Sequence, residues 1–356
     1  MLPRHLPALD GLRAIAVLLV LWTHVPPTIT PGYPTWLLWA HTILEPGALG
    51  VEIFFVLSGF LITRILLAER REDRPVRWFL LRRVLRIFPI YYLLIAILAV
   101  VRPGGYLAWC ATYTSNVLTI TRPAEQFPLQ HSWSLCVEEH FYLLWPLAVA
   151  FTSRRRPLQV ILAAMPVMLG AAFAVGALCD RDLAMRIVAH ASPIRFFSLA
   201  SGCLIACGEP WLMARPGRLV AIALALVVPA LAANNLVLYV LVPQWTGGRC
   251  APPLAIAPGL WLLALTSSAT IALLTTLAFG GGRWSPWRLL SWAPLRAVGR
   301  ISYGLYLYHL PIFHALLRPT PSGMRIALAV SLAFLAASLS YTLIERPILR
   351  YGSRLR

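Results

Sequence analysis

Ionisable side chains that interrupt long apolar runs are the first candidates for chemistry in this sequence. A charge in hydrocarbon costs several kcal/mol unless the protein pairs it or uses it. The first run reads Leu9-Asp10-Gly11-Leu12-Arg13 and continues to Trp22-Thr23-His24. On a helix, Arg13 and His24 fall on one face, about 16 Å apart along the axis. Arginine at one end suits an anion and histidine at the other suits proton transfer. The bland alternative is a snorkelling Arg13 and an interfacial His24. A second run opens Arg82-Arg83-Val84-Leu85-Arg86, where Arg83 and Arg86 share a face. Two guanidinium groups there can hold phosphates bidentately, although flanking arginines are also ordinary topology signals. A third begins His131-Ser132-Trp133-Ser134 and carries Glu138-Glu139-His140. Adjacent carboxylates point about 100° apart, so one of them faces a given partner. Glu138 shares its stripe with Ser134 and Tyr142 and is the candidate for chemistry; Glu139 is the candidate for structure or acceptor contact. Glu138 lies at a depth where it can pair with His24 and raise its basicity.

Weaker candidates are Arg195, which needs a partner if buried, and His309, which ends a tyrosine stripe from Tyr303 to Tyr308. Both are carried as acceptor-binding residues. His131 borders the site but reads equally well as solvated. His5, His41 and His190 read as loop or interface residues. Ser58-Gly59 reads as a place where helices approach closely.

The elements that must hold these groups are membrane helices. The chain has 356 residues, 59% of them hydrophobic and 12% charged. A soluble chain carries about a quarter charged residues. Thirteen tryptophans and twelve tyrosines suit interfacial belts. The net charge of +18 is made by arginine alone, with no lysine. In an apolar chain that charge points to cytoplasmic loops and anionic lipid before nucleic acid. Apolar runs predict ten spans, near 9–27, 46–68, 77–101, 132–152, 157–178, 190–208, 218–241, 254–280, 297–318 and 324–344. The short apolar stretch 105–121 reads as a re-entrant or interfacial piece. With the N-terminus inside, roughly three arginines in four fall on the cytoplasmic side, which predicts both termini there. The N-terminal run lacks a small-residue cleavage site and reads as a retained helix. The six cysteines form no CxxC pair and imply neither a disulfide framework nor a metal site. The expected fold is an all-α polytopic membrane protein, one domain over 1–356.

Taken in order, these pieces resemble the acyltransferase 3 family. They are Leu9-Asp10-Gly11-Leu12-Arg13 with His24, Phe54 to Phe60, Arg83-x-x-Arg86 with Phe88-Pro89, and Trp133-Ser134-Leu135 with Glu138-Glu139. Ile301-Ser302-Tyr303 through His309 and Ile344-Glu345-Arg346-Pro347 complete the series. The resemblance spans nearly the whole chain; His140 stands where glutamine or another polar residue is expected. It implies a ten-helix enzyme of the bacterial inner (cytoplasmic) membrane. Such an enzyme moves acyl groups, acetyl most often, from cytoplasmic acyl-CoA to a hydroxyl of a carbohydrate or glycosylated acceptor. It gives functional weight to Arg13, His24, Arg83, Arg86 and Glu138. A periplasmic hydrolase-like domain, fused in some members, is not expected here.

The expected mechanism places the coenzyme A phosphates on Arg13, Arg83 and Arg86. His24, supported by Glu138, then deprotonates the acceptor hydroxyl, or itself carries the acyl group. No metal and no nucleic acid are called for. The rival class is a proton-coupled transporter with an intramembrane His/Glu/Arg relay.

Overall fold

The computed structural model describes residues 6–25, 46–152, 156–215, 217–227, 230, 257–279, 286–317, 322–352 and 354, and every structural statement concerns these. His5, His41 and most of the expected seventh span lie outside them. Helix is the main structure of the described residues, and there is no strand among them. Inside a bilayer a helix satisfies its own backbone, which is why each apolar run takes this form.

The helices run α1 Pro7–His24, α2 Pro46–Arg71, α3 Val76–Val101, α4 Tyr106–Ala111, α5 Ser115–Thr121, α6 Trp133–Phe151, α7 Arg156–Leu178, α8 Arg181–His190, α9 Ser192–Met213. They continue as α10 Gly217–Val227, α11 Ala257–Phe279, α12 Ala293–Arg300, α13 Ser302–Leu316, α14 Gly323–Ser340 and α15 Arg346–Gly352. A 3-10 turn at Gln130–Ser132 leads into α6, and a π-helical turn, Tyr341–Glu345, joins α14 to α15. Seven helices are long and apolar enough to cross a membrane: α1, α2, α3, α7, α9, α11 and the joined α14–α15. Helices α6 and α13, with 19 and 15 residues, occupy the expected fourth and ninth spans without meeting that measure.

Two expected boundaries shift. The span predicted from 190 starts at Ser192, because Pro193 suits a first helical turn and His190 closes the amphipathic α8. The span predicted over 297–318 is broken at Ile301 into α12 and α13. Gly299 lies so close to the Asp10 carbonyl that a Cβ there would collide with it, so the break is held against α1. The stretch 105–121 folds as α4 and α5, and protein covers Cys110, Ser115 and Leu118 completely. Tyr113, between them, takes a positive φ of 54° and stacks on Tyr91 at 4.8 Å.

Helix α2 is the centre of the bundle, packed on α1, α6, α9 and α11. Its crossing with α9 depends on two glycines. A Cβ on Gly59 would strike the Leu199 carbonyl, and one on Gly202 would strike the Val56 carbonyl. Small residues at such a crossing let backbones meet without a side chain between them. At the arginine-rich end, Arg70 of α2 donates to the Val149 carbonyl at 2.7 Å and to the Thr152 carbonyl, capping α6. Arg64 of α2 pairs with Glu209 of α9 at 2.6 Å.

Candidate functional site

The geometry separates two groups that the sequence left joined. The first is a cleft between α1, α2, α3, α6 and α13. Arg13 of α1 and Arg83 and Arg86 of α3 line one end, with Leu61 and Ile62 of α2. Val51 and Phe54 of α2, Ser134 of α6 and Tyr306 of α13 line the other. Val51 to Ile62 is about 16 Å of helix, so the cleft runs along the helices rather than across them.

The arginines meet here because the i,i+3 spacing turns Arg83 and Arg86 the same way. The Arg83 guanidinium lies over the rings of Phe79 and Tyr142, at 5.3 and 5.6 Å. Glu138 hydrogen-bonds Ser58 and Tyr142 and lies in electrostatic reach of Arg13 and Arg83. Ser58 and Tyr142 also bond each other, joining α2 to α6. Asp10 acts on Arg13, Glu139 on Arg83, and Glu345 on Arg86. Glu345 is brought in by the π-helical turn, a distortion often found at functional sites, and accepts from Ser340 at 3.3 Å. Carboxylates thus surround the three arginines at a distance that lowers the cost of burial while leaving guanidinium donors facing the cleft.

The second group is a cluster of histidines. His24, the last residue of α1, meets His309 of α13, Nδ1 to Nε2 at 3.3 Å, with ring centroids 5.0 Å apart. His131 packs on the other side of His309, centroids again 5.0 Å apart. Tyr306 bridges cleft and cluster. Its hydroxyl reaches Ser134 Oγ at 2.6 Å and the His131 carbonyl at 3.0 Å, and its ring lies 5.7 Å from that of His309. Among the described residues no three His, Cys, Asp or Glu are arranged to hold a metal ion.

Several expectations are corrected here. Glu138 does not pair with His24; it turns to Ser58, Tyr142 and the arginines, and the partner of His24 is another imidazole. Glu139 acts electrostatically on Glu138 and Arg83. His131 is not solvated: it is 4% exposed, and neither ring nitrogen makes a hydrogen bond. Burial, with the neighbouring His24 and His314, holds it down to about 3, so it stays neutral at physiological pH. His309 is fully buried with both nitrogens engaged, which leaves neither free for an acceptor. His190 is no loop residue; it packs edge-on against Trp133 at 4.7 Å. His140 bonds Ser192 at 2.7 Å, tying α6 to α9.

Arg195 does not line the cleft; it lies behind Phe55, 1% exposed, in an ion pair with Glu52. Thr266 donates to the other oxygen of Glu52 at 2.6 Å. Phe55, Trp133 and Trp261 surround the guanidinium at 5.1, 5.9 and 5.6 Å. Its chemistry is that of a buried strut between α2, α9 and α11. Removing one partner strands the other in apolar surroundings, at a cost of about 3–5 kcal/mol. Glu52→Ala is therefore expected to lower the unfolding midpoint in detergent sharply, and an unchanged midpoint would refute the strut.

The described residues thus form a multi-pass helical bundle with an arginine-lined cleft that leads to a histidine cluster. The family model described as an acyltransferase domain matches residues 6–345, and the chain belongs to that family, the acyltransferase 3 family. YrhL of Bacillus subtilis (strain 168), provisionally named a peptidoglycan O-acetyltransferase, is 32% identical over 99% of the chain and 56% of its own length. The peptidoglycan O-acetyltransferase OatA of Listeria monocytogenes is 29% identical over 98% of the chain and 56% of its own length. The O-acetyltransferase OatA of Staphylococcus aureus (strain NCTC 8325 / PS 47) is 28% identical over 98% and 58%. The chain thus spans little more than half the length of these relatives. No solved structure matches it.

Proposed function

We propose that this protein transfers an acyl group, acetyl foremost, from cytoplasmic acyl-CoA to a sugar hydroxyl. The acceptor is a surface glycan, for which the peptidoglycan named in the relatives is the nearest guide. In this reading ten helices cross the bacterial inner (cytoplasmic) membrane, with both termini in the cytoplasm, as one domain. The observation that carries it is the cleft: three arginines at one end, and Tyr306 against the His24–His309 pair at the other.

Arg13, Arg83 and Arg86 bind the phosphates of the donor, and the narrow pantetheine arm lies along α2 and α13. Glu138 is a positioning residue, orienting Arg13 and Arg83 through charge and through its bonds to Ser58 and Tyr142. His24 takes the proton of the acceptor hydroxyl; the oxygen attacks the thioester carbonyl, and coenzyme A leaves as the thiol. In the competing route the His24 imidazole first accepts the acyl group and then passes it on.

The test uses purified protein in liposomes with acetyl-CoA inside and a glycan acceptor outside. Acceptor-dependent release of free CoA, matched by acetylated glycan, is expected. Proton-coupled flux of the glycan with no CoA released would instead make this a transporter.

A further inference from the structure

The tautomers of His24 and His309 can be derived from their partners. A backbone carbonyl only accepts, so an imidazole nitrogen facing one carries the proton. His309 Nδ1 lies 2.6 Å from the Tyr306 carbonyl, and His24 Nδ1 lies 2.8 Å from the Val20 carbonyl. A neutral imidazole holds one proton, so Nε2 of each ring is bare. The bare Nε2 of His309 lies 3.3 Å from His24 Nδ1 and shares its proton with the Val20 carbonyl.

We propose that His309 is a positioning residue of the reaction: together with the Val20 carbonyl it holds His24 as the Nδ1–H tautomer, so that His24 Nε2 is the atom that meets the acceptor. The inference rests on the reading that His24 reacts. It gives His309 the role that a carboxylate plays beside a catalytic histidine. There, the partner of one ring nitrogen fixes which atom of the other side is free. When His24 takes a proton on Nε2, its Nδ1–H becomes a cationic donor, and the lone pair of His309 receives it. The Val20 carbonyl fixes the same tautomer, and His309 adds a second acceptor set from another helix. Val20 belongs to the preceding turn of the same helix, whereas His24 is the terminal residue of α1. His309 is set from α13 and is itself fixed, fully buried between His131 and Phe313 at ring distances of 5.0 and 5.7 Å.

Side-chain amides separate this role from packing. In glutamine the amide falls where imidazole Nε2 stood and still offers His24 an acceptor. In asparagine it falls at the Nδ1 position and reaches only the Tyr306 carbonyl. Full-length His309→Gln, His309→Asn and His309→Ala are assayed for kcat and for the KM of acetyl-CoA. The Asn and Ala variants are expected to lose about 10²-fold in kcat with KM unchanged, and Gln to recover most of it. Nitrogen-15 NMR of histidine-labelled wild-type protein, with His24→Gln to assign the signal, should show His24 as Nδ1–H. An Nε2–H His24 in the wild type overturns the proposal whatever the variants do to folding. So does a Gln variant no better than Ala. If His24→Gln itself keeps full activity, the reading of His24 as the reacting group fails instead, and the tautomer measurement stands apart from it.

Discussion

Replacing His24 with alanine is expected to cut acyl transfer by at least about 10²-fold while leaving a folded protein. The effect on folding is small because His24 is only part-buried at the last residue of α1, and its side-chain hydrogen-bond partners are Val20 and His309. Losing such a bond costs about 1 kcal/mol, far less than a membrane bundle of this size loses from its core. The effect on rate is large by either route. If His24 is a general base, its loss costs about 10²–10⁴-fold, and donor held in the cleft still supports a residue of activity. If His24 carries the acyl group, no residue of activity is expected, because the covalent step has no other atom. Acetyl-CoA labelled in the acyl group and supplied without acceptor separates the routes. Label on the wild-type chain, absent from His24→Ala, marks the covalent route, and no label marks the base. Wild-type turnover by a purified, folded His24→Ala protein removes His24 from the mechanism.

How much of this was legible in sequence depends on whether a residue's partner shares its helix. Arg13 and His24 lie on one helix, so helical phase and rise alone placed them on one face and toward opposite ends of it. Arg83 and Arg86 were read together for the same reason, and they do line one cleft with Arg13. Phase says nothing about which helix stands opposite. Glu138 was assigned the right stripe, with Ser134 and Tyr142, but its stripe faces Ser58 of α2 and the arginines rather than α1's end. His309 and His24 are 285 residues apart, and only the packing of α13 on α1 brings them together. Arg195 shows the limit most plainly. Burial cost required that it have a partner, and Glu52 was a visible carboxylate, yet the pair spans 143 residues and three helices meet around it. His131 carried a weaker signal still, since a histidine before a helix reads as solvated until a cluster closes over it. The glycine crossing was the exception among long-range features: Ser58-Gly59 announced a close approach, and Gly202 of α9 supplies the other half.

The double replacement Arg83→Ala with Arg86→Ala is expected to weaken acetyl-CoA binding by about 10²–10³-fold, with a much smaller effect on any donor that lacks phosphates. A charge-assisted hydrogen bond to a charged group is worth about 1.5–3 kcal/mol, and two side chains are removed at once. Neither arginine holds the bundle as Arg195 does: Arg83 rests on Phe79 and Tyr142, and Arg86 acts on Glu345 of the π-helical turn at longer range. Stability should therefore fall less than affinity. Paired Lys replacements keep the charge but lose the fork that grips a phosphate with two parallel donors, so they are expected to recover affinity only in part. The decisive comparison is acetyl-CoA against the acetyl thioester of N-acetylcysteamine, which keeps the reacting end and lacks every phosphate. Wild-type protein should prefer acetyl-CoA strongly, and the double variant should lose most of that preference while turning over the short thioester at nearly the wild-type rate. Equal losses on both donors would mean that the pair shapes the cleft as a whole. Wild-type affinity for acetyl-CoA would mean that the phosphates bind elsewhere, and the direction assigned to the cleft would fall with it.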